Sequence, residues 1–453
     1  MSVPYILFLV ISAVALLLLM VLKLKINAFI SLLITAIYVG LLAGMDPGAI
    51  MKSIQNGMGS TLGFVATVVG LGAIFGKMLE SSGGAESLAR TLIRKFGQEK
   101  APWAMVITGF IVAIPVFLDV GFIILVPIVY ALARDTRRSL LYYAIPLLAG
   151  LAVTHAFVPP TPGPVAVSDI LNASLGWVIL FGILLGIPTA IIAGPLWGSY
   201  ISKKINAQPP VDFLNTTEAP DRPDNLPSFG LIASLIGIPL VLILLNTLTG
   251  VLVGRAILEN SFFTRFIEFI GHPFSALIIA TLLAIYLLCI RRGMPRQTIL
   301  DLSNKALGPA GIIILITGAG GVLKQILVDS GIGKMMAESI AGSALSPILL
   351  AWILAALVRL TQGSATVAMI TAAGIIAPVI EVFALTDPQR ALVVIGIASG
   401  ATIASHVNDS GFWLVGKYLG MNEKETLQSW TVMETIIALC GLAFSLLASL
   451  FTG

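Results

Sequence analysis

Charge is scarce in this sequence. Asp, Glu, Lys and Arg make up 11% of its 453 residues and hydrophobic residues 57%, whereas a soluble domain carries about a quarter charged residues. Mean hydropathy is +1.01. A soluble globular domain is thereby excluded, and the chain reads as a polytopic protein of the lipid bilayer. Its net charge of +4 comes without a basic tail or patch, so nucleic acid is not an expected partner. Cysteine is scarcer still. Cys289 and Cys440 both fall in apolar stretches, with no CxxC and no zinc spacing. They read as small buried hydrophobes, and no disulfide, metal or cofactor is expected. A nucleophile elbow is also missing, which argues against a hydrolase. The first residues lack a positive n-region and a clear small-residue cleavage site, so Pro4–Leu22 reads as a spanning helix.

What the sequence has is long apolar runs. About 20 apolar residues are needed to span a bilayer. Pro4–Leu22, Asn27–Gly44, Gly57–Leu79, Gly176–Gly198, Phe229–Gly250, Pro273–Ile290, Pro309–Val328 and Thr431–Leu450 are candidates. Four other stretches do not fit a plain helix. Ala101–Ala133 and Leu349–Val379 are too long for one crossing and carry polar residues near their middles. They read as re-entrant hairpins, a half-helix in and a half-helix out, because polar backbone at membrane depth must be buried in protein or line water. Leu140–Leu171 breaks at Pro159-Pro160-Thr161-Pro162-Gly163-Pro164, since proline removes a backbone donor and clashes with the preceding turn. Ala391–Val415 breaks at Ser405-His406-Val407-Asn408-Asp409-Ser410-Gly411 on turn chemistry alone.

The basic residues test this reading. Lys23 and Lys25, Arg90 to Lys100, Arg134 to Arg138, Lys203 and Lys204, Arg291 to Arg296, and Lys417 and Lys424 form clusters between spans. If both long runs return to the side they entered, every cluster is cytoplasmic, as the positive-inside rule expects, and both termini are periplasmic. If Ala101–Ala133 crossed fully, Arg134–Arg138 would lie opposite Arg90–Lys100.

The halves also repeat. Gly70, Gly72, Leu79, Ser82 and Gly83 align without gaps on Gly318, Gly320, Leu327, Ser330 and Gly331. After each comes an amphipathic segment, a hairpin, a broken helix with a His (His155, His406) and a closing span. The expected fold is an all-α polytopic membrane protein of two inverted repeats, residues 1–205 and 229–453, joined by a Pro- and Asp-rich cytoplasmic linker over 206–228. Such repeats belong to secondary transporters, with the site near the midplane where broken helices meet. Gly70, Gly72 and Gly76 read as close helix packing.

Intramembrane polar residues are the candidates for function. Asp119, in the tip Pro115–Gly121, is the only acid between Lys100 and Arg134; it is a proton carrier or a cap on the second half-helix. Arg359 is a permanent charge that forks onto carboxylates. It binds an anionic substrate or pairs with a fixed carboxylate such as Asp119 or Asp409. Gln362, Gly363, Ser364 and Thr366 form the second hairpin tip, where helix amides are ready for an anion. The breaks supply His155, Thr161 and Gly163, and Ser405, His406, Asn408, Asp409 and Ser410. Either His can relay protons near neutral pH or satisfy freed backbone groups. Glu80, Glu86, Glu99 and Glu381 read as solvated at span ends, and Lys77 and Lys324 as snorkelling.

The run Gly311–Gly333, the tip Gln362–Ala368, the break Ser405–Trp413, the proline cluster Pro159–Pro164 and the hairpin Phe117–Gly121 resemble the gluconate permease family, proton symporters for sugar acids. The resemblance covers essentially the whole chain. It implies uptake of D-gluconate or a related aldonate with a proton across a bacterial inner membrane. It also implies a place in the ion transporter superfamily, with a scaffold domain, a moving domain of hairpins and broken helices, elevator motion and a homodimer. Many members have His where this chain has Thr161 and Glu where it has Asp119.

The sequence thus points to a proton-coupled symporter for a small hydroxylated carboxylate, in the bilayer and not an enzyme. Arg359, Gln362, Gly363, Ser364, Thr366, Thr161, Gly163, Asn408 and Ser410 are the candidate substrate contacts, and Asp119, Asp409, His155 and His406 the candidates for the proton. The alternatives are a hydroxy amino acid such as D-serine as ligand, a membrane-embedded enzyme using His155, His406 and Asp409, and a channel.

Overall fold

A computed structural model describes residues 3–209, 226–332, 335 and 346–452. Among the described residues the protein is built of helices with no strand. Seven of the helices are long and apolar enough to cross a membrane. The linker expected over 206–228 falls mostly outside the described residues, as does the amphipathic segment expected after Gly331.

The first half opens with α1 (Val3–Leu18) and α2 (Ala28–Leu42). Next come the 35-residue α3 (Pro47–Ser81) and the amphipathic α4 (Gly84–Phe96). A helix–turn–helix follows: α5 (Ala101–Val112), a turn through Pro115, and α6 (Leu118–Thr136). A broken helix comes next, α7 (Leu141–Phe157) and α8 (Pro162–Ile170), and then α9 (Leu175–Ile201). The break lies at the proline cluster, where the Pro159–Pro160 bond is cis. α5 has 12 residues, too few to cross.

The second half follows the same order. α10 (Phe229–Gly254), a short α11 (Phe262–Gly271) and α12 (Pro273–Arg292) lead to the 34-residue α13 (Arg296–Asp329). A second hairpin joins α14 (Pro347–Gln362) to α15 (Ala365–Val382). A second broken helix, α16 (Asp387–Gly400) and α17 (Ser410–Tyr418), precedes the closing α18 (Glu423–Ser449). Both long runs are thus turned back at their polar tips; the first interrupted run breaks at the proline cluster, and the second breaks over 401–409, earlier than its turn residues suggested, with Asp409 capping the helix that restarts at Ser410.

The two longest helices pack against each other. Their crossing depends on missing side chains: a Cβ on Gly321 would sit 2.7 Å from the Gly57 carbonyl, and one on Gly57 would sit 2.7 Å from the Gly321 carbonyl. Only glycine lets two backbones approach so closely. Gly76 has a different neighbour, because its Cβ would overlap the Pro115 carbonyl at the first hairpin tip. Gly70 and Gly72, expected to pack as tightly, have only ordinary contacts.

Two further expectations change, and one helix, α11, lies where none was expected. The helices read as Gly57–Leu79 and Pro309–Val328 begin about ten residues earlier, at Pro47 and Arg296. Their opening turns mix polar, small and apolar residues, with Ile50 and Ile299 buried, so hydropathy marks only where each becomes continuously apolar. α11 is amphipathic and too short to span; Phe262, Phe263, Phe266 and Phe269 are all exposed on it. Several carboxylates read as solvated are ion-paired, Glu80 with Lys77 and Glu86 with Arg90 at 2.7 Å, and Glu381 with Lys324 at 3.9 Å.

Candidate functional site

Both hairpins, α7, the second break and α18 converge on a cavity of about 540 Å³. Leu118 and Asp119 line it from the start of α6. Gln362 to Thr366 and Met369 line it from the second tip, Asn408 to Gly411 from the second break, and His155, Trp430 and Glu434 from α7 and α18. Three helices begin at its wall: α6 at Leu118, α15 at Ala365 and α17 at Ser410. A helix N-terminus presents free amides and a partial positive charge, so three together favour an anion.

The second tip is built around Gly363. α14 ends there because Gly363 turns left-handed, at φ +83°. A Cβ at this position would lie 2.2 Å from the Asn408 carbonyl, so the turn requires glycine twice over. Ser364 then caps α15 by accepting from the Val367 amide at 3.4 Å. Asn408 donates to the Leu360 and Thr361 carbonyls at 3.2 and 3.3 Å, fastening the break to the last turn of α14.

Arg359 lies one turn before Gly363 and is 3% exposed. Its Nη2 donates to Asp409 Oδ2 at 2.5 Å and its Nη1 to the Gly363 carbonyl, while its Nε has no partner. Asp409 also accepts from Ser405 Oγ at 2.5 Å and from the Gly411 amide at 3.0 Å. Ser405 in turn accepts from Trp430 Nε1 at 2.7 Å. Of the two partners expected for Arg359, Asp409 therefore holds it. The pair still lines the cavity.

The other predicted residues divide. Asp119 is exposed to the cavity from the first turn of α6. His155 also lines it; its Nδ1 is buried without a partner, and its ring lies 5.9 Å from that of Phe117. Ser364, Thr366, Gln362, Asn408 and Ser410 are all on the wall. Three are elsewhere. Thr161 is buried and donates to the Val158 carbonyl at 2.7 Å, which ties its hydroxyl to its own helix break. Gly163 packs under Met369. His406 places its Nδ1 2.9 Å from the Ala404 carbonyl and does not line the cavity.

The wall also holds residues not singled out from the sequence, Thr402, Trp430 and Glu434 among them. Glu434 is 4% exposed and its Oε1 has no hydrogen-bond partner. It is an acid inside the last apolar span, the same signal that singled out Asp119.

The sequence matches the model of the GntP family of permeases over residues 5–451. It is similar to a gluconate permease of Pseudomonas aeruginosa, 43% identical over 434 residues, covering 96% of this chain and 95% of that one. It is also similar to a low-affinity gluconate transporter of Escherichia coli, 43% identical over 438 residues, covering 97% of each chain. Among solved structures it resembles the YdaH transporter of Alcanivorax borkumensis, with a TM-score of 0.59, 12% identity and 88% of each chain covered. That likeness concerns the fold.

Proposed function

The chain belongs to the GntP family of permeases, and from that premise we propose that it carries D-gluconate or a related sugar acid into the cell together with a proton. The observation that carries the reading is the cavity, where a guanidinium meets three helix N-termini among Ser, Thr, Asn and Gln side chains. A sugar acid offers a matching outline. Its carboxylate suits the positive charge of Arg359 and the α15 amides. Its hydroxyls suit Ser364, Thr366, Gln362, Asn408 and Ser410. For Thr161, Gly163 and His406, whose side chains or backbone are engaged elsewhere, an indirect part through the breaks is the remaining role. Asp119 and His155 face the substrate space and can exchange protons with it; Asp409 neutralises Arg359.

In this reading the two halves, residues 1–205 and 229–453, are inverted repeats joined by a cytoplasmic linker. Both termini are periplasmic, the membrane is the bacterial inner membrane, and the protein works as a homodimer. Support comes from the common element order and the placement of basic clusters.

The test is uptake of labelled D-gluconate into proteoliposomes under an inward proton gradient without sodium. Accumulation that collapses with a protonophore is expected; absence of accumulation overturns the reading. One observation favours a second ligand, a hydroxy amino acid such as D-serine. Asp119 is exposed in the cavity and Glu434 Oε1 is unpaired, and either could face an ammonium. Competition of D-serine against gluconate uptake separates the two.

A further inference from the structure

We propose that Glu434 binds the coupled proton, and that its protonation opens the cavity to an anionic substrate. The inference rests on the symport reading above and adds which group carries the proton. It begins from charge. Four charge-bearing side chains, Asp119, Arg359, Asp409 and Glu434, line the cavity with the titratable His155. One guanidinium faces three carboxyls, and it is already paired to one of them at 2.5 Å. With every carboxyl ionised the wall is net negative, and a sugar acid would add another negative charge to it. The helix N-termini favour an anion, but the carboxylates beside them oppose it. Removing one carboxylate charge resolves the conflict.

The structure distinguishes the three carboxyls. Asp409 accepts from Arg359, Ser405 and the Gly411 amide. A proton on it would contend with donors already in place and leave Arg359 without its counter-ion. Asp119 is exposed to the water of the cavity, where its charge is solvated. Glu434 is 4% exposed, and its Oε1 is buried with no partner. A carboxylate so nearly buried, with one oxygen that meets neither water nor a donor, has little to stabilise its charge. Protonation removes the charge and provides an O–H that can donate into the cavity. Glu434 also stands one turn beyond Trp430, whose indole holds Ser405 and, through it, Asp409. The groups facing Glu434 across the cavity are Arg359 on α14, Asp409 in the second break, His155 on α7 and Asp119 on α6.

Coupling follows from reciprocity. If protonated Glu434 raises affinity for the anion, the bound anion raises the affinity of Glu434 for its proton by the same factor. Proton and sugar acid then enter the cavity together and leave together, with no net charge added to the wall.

Calorimetry of D-gluconate binding to the purified full chain, in buffers of different ionisation enthalpy, tests this. Wild type is expected to take up about one proton per gluconate at alkaline pH, with affinity falling as pH rises. Glu434→Gln is expected to bind gluconate with no proton uptake and no pH dependence. In proteoliposomes it should exchange gluconate but fail to accumulate it under a proton gradient. Proton uptake by Glu434→Gln equal to that of wild type overturns the assignment. If Glu434→Gln yields no folded protein, Glu434→Asp carries the test: a displaced pH midpoint of binding supports it and an unchanged one refutes it. Wild type that binds gluconate without proton uptake, or does not bind it, contradicts the symport reading itself, which is a different result.

Discussion

Arg359 holds two positions together, donating to Asp409 across the cavity and to Gly363 within its own hairpin. A lysine keeps the charge but presents one compact ammonium and loses the fork. Arg359→Lys should therefore weaken gluconate binding by about ten- to a hundredfold, the loss of one charge-assisted hydrogen bond at about 1.5–3 kcal/mol. Titration calorimetry reads this directly, and unaltered affinity would remove Arg359 from the substrate's path. At this scale the sequence was partly legible. Arg359, Asp119 and the tip from Gln362 to Thr366 stand out because an ionised or polar residue in an apolar run is costly. Glu434 carries the same signal in a span that looked ordinary. Thr161 and His406 were credible on type, yet the nearest carbonyls, at Val158 and Ala404, engage them locally. No residue pattern announces that a neighbouring backbone will take up a hydroxyl.

Among the elements, the glycine crossing of α3 and α13 has a measurable consequence. A side chain on Gly321 meets both the Gly57 carbonyl and the Thr61 hydroxyl, at 2.7 and 2.1 Å from the new Cβ. Gly321→Val should force the two long helices apart and lower stability by about 1–3 kcal/mol, the usual cost of overpacking. Thermal unfolding in detergent should show a lower midpoint than wild type, while Gly59→Ala, where the new Cβ meets nothing within 4 Å, should not. Hairpins and breaks were legible because polar or helix-stopping residues interrupt an apolar run: Arg359 and Gly363 in one, the proline cluster in another. The starts of α3 and α13 were not, since helical turns of mixed polar and apolar residues leave no mark in hydropathy. α11 escaped for the opposite reason, being apolar on one face and too short to span.

For the molecule as a whole, the turned-back hairpins fix which loops share a face. Arg134 lies in the last turn of α6 and Arg137 and Arg138 follow it, and Arg90, Arg94 and Lys95 lie on α4, which packs against both arms of that hairpin. A cysteine placed at Arg137 should react with an impermeant maleimide only after the cytoplasmic side is opened. Labelling in intact cells would reverse the assignment of faces.

The lock between Arg359 and Asp409 also has an electrical meaning. Moving one elementary charge through 100 mV is worth about 2.3 kcal/mol, so an unneutralised arginine in a moving part would tie every stroke to the membrane voltage. With its carboxylate 2.5 Å away, the guanidinium contributes a dipole and no net charge. The resting potential then has no purchase on the cation at the heart of the site.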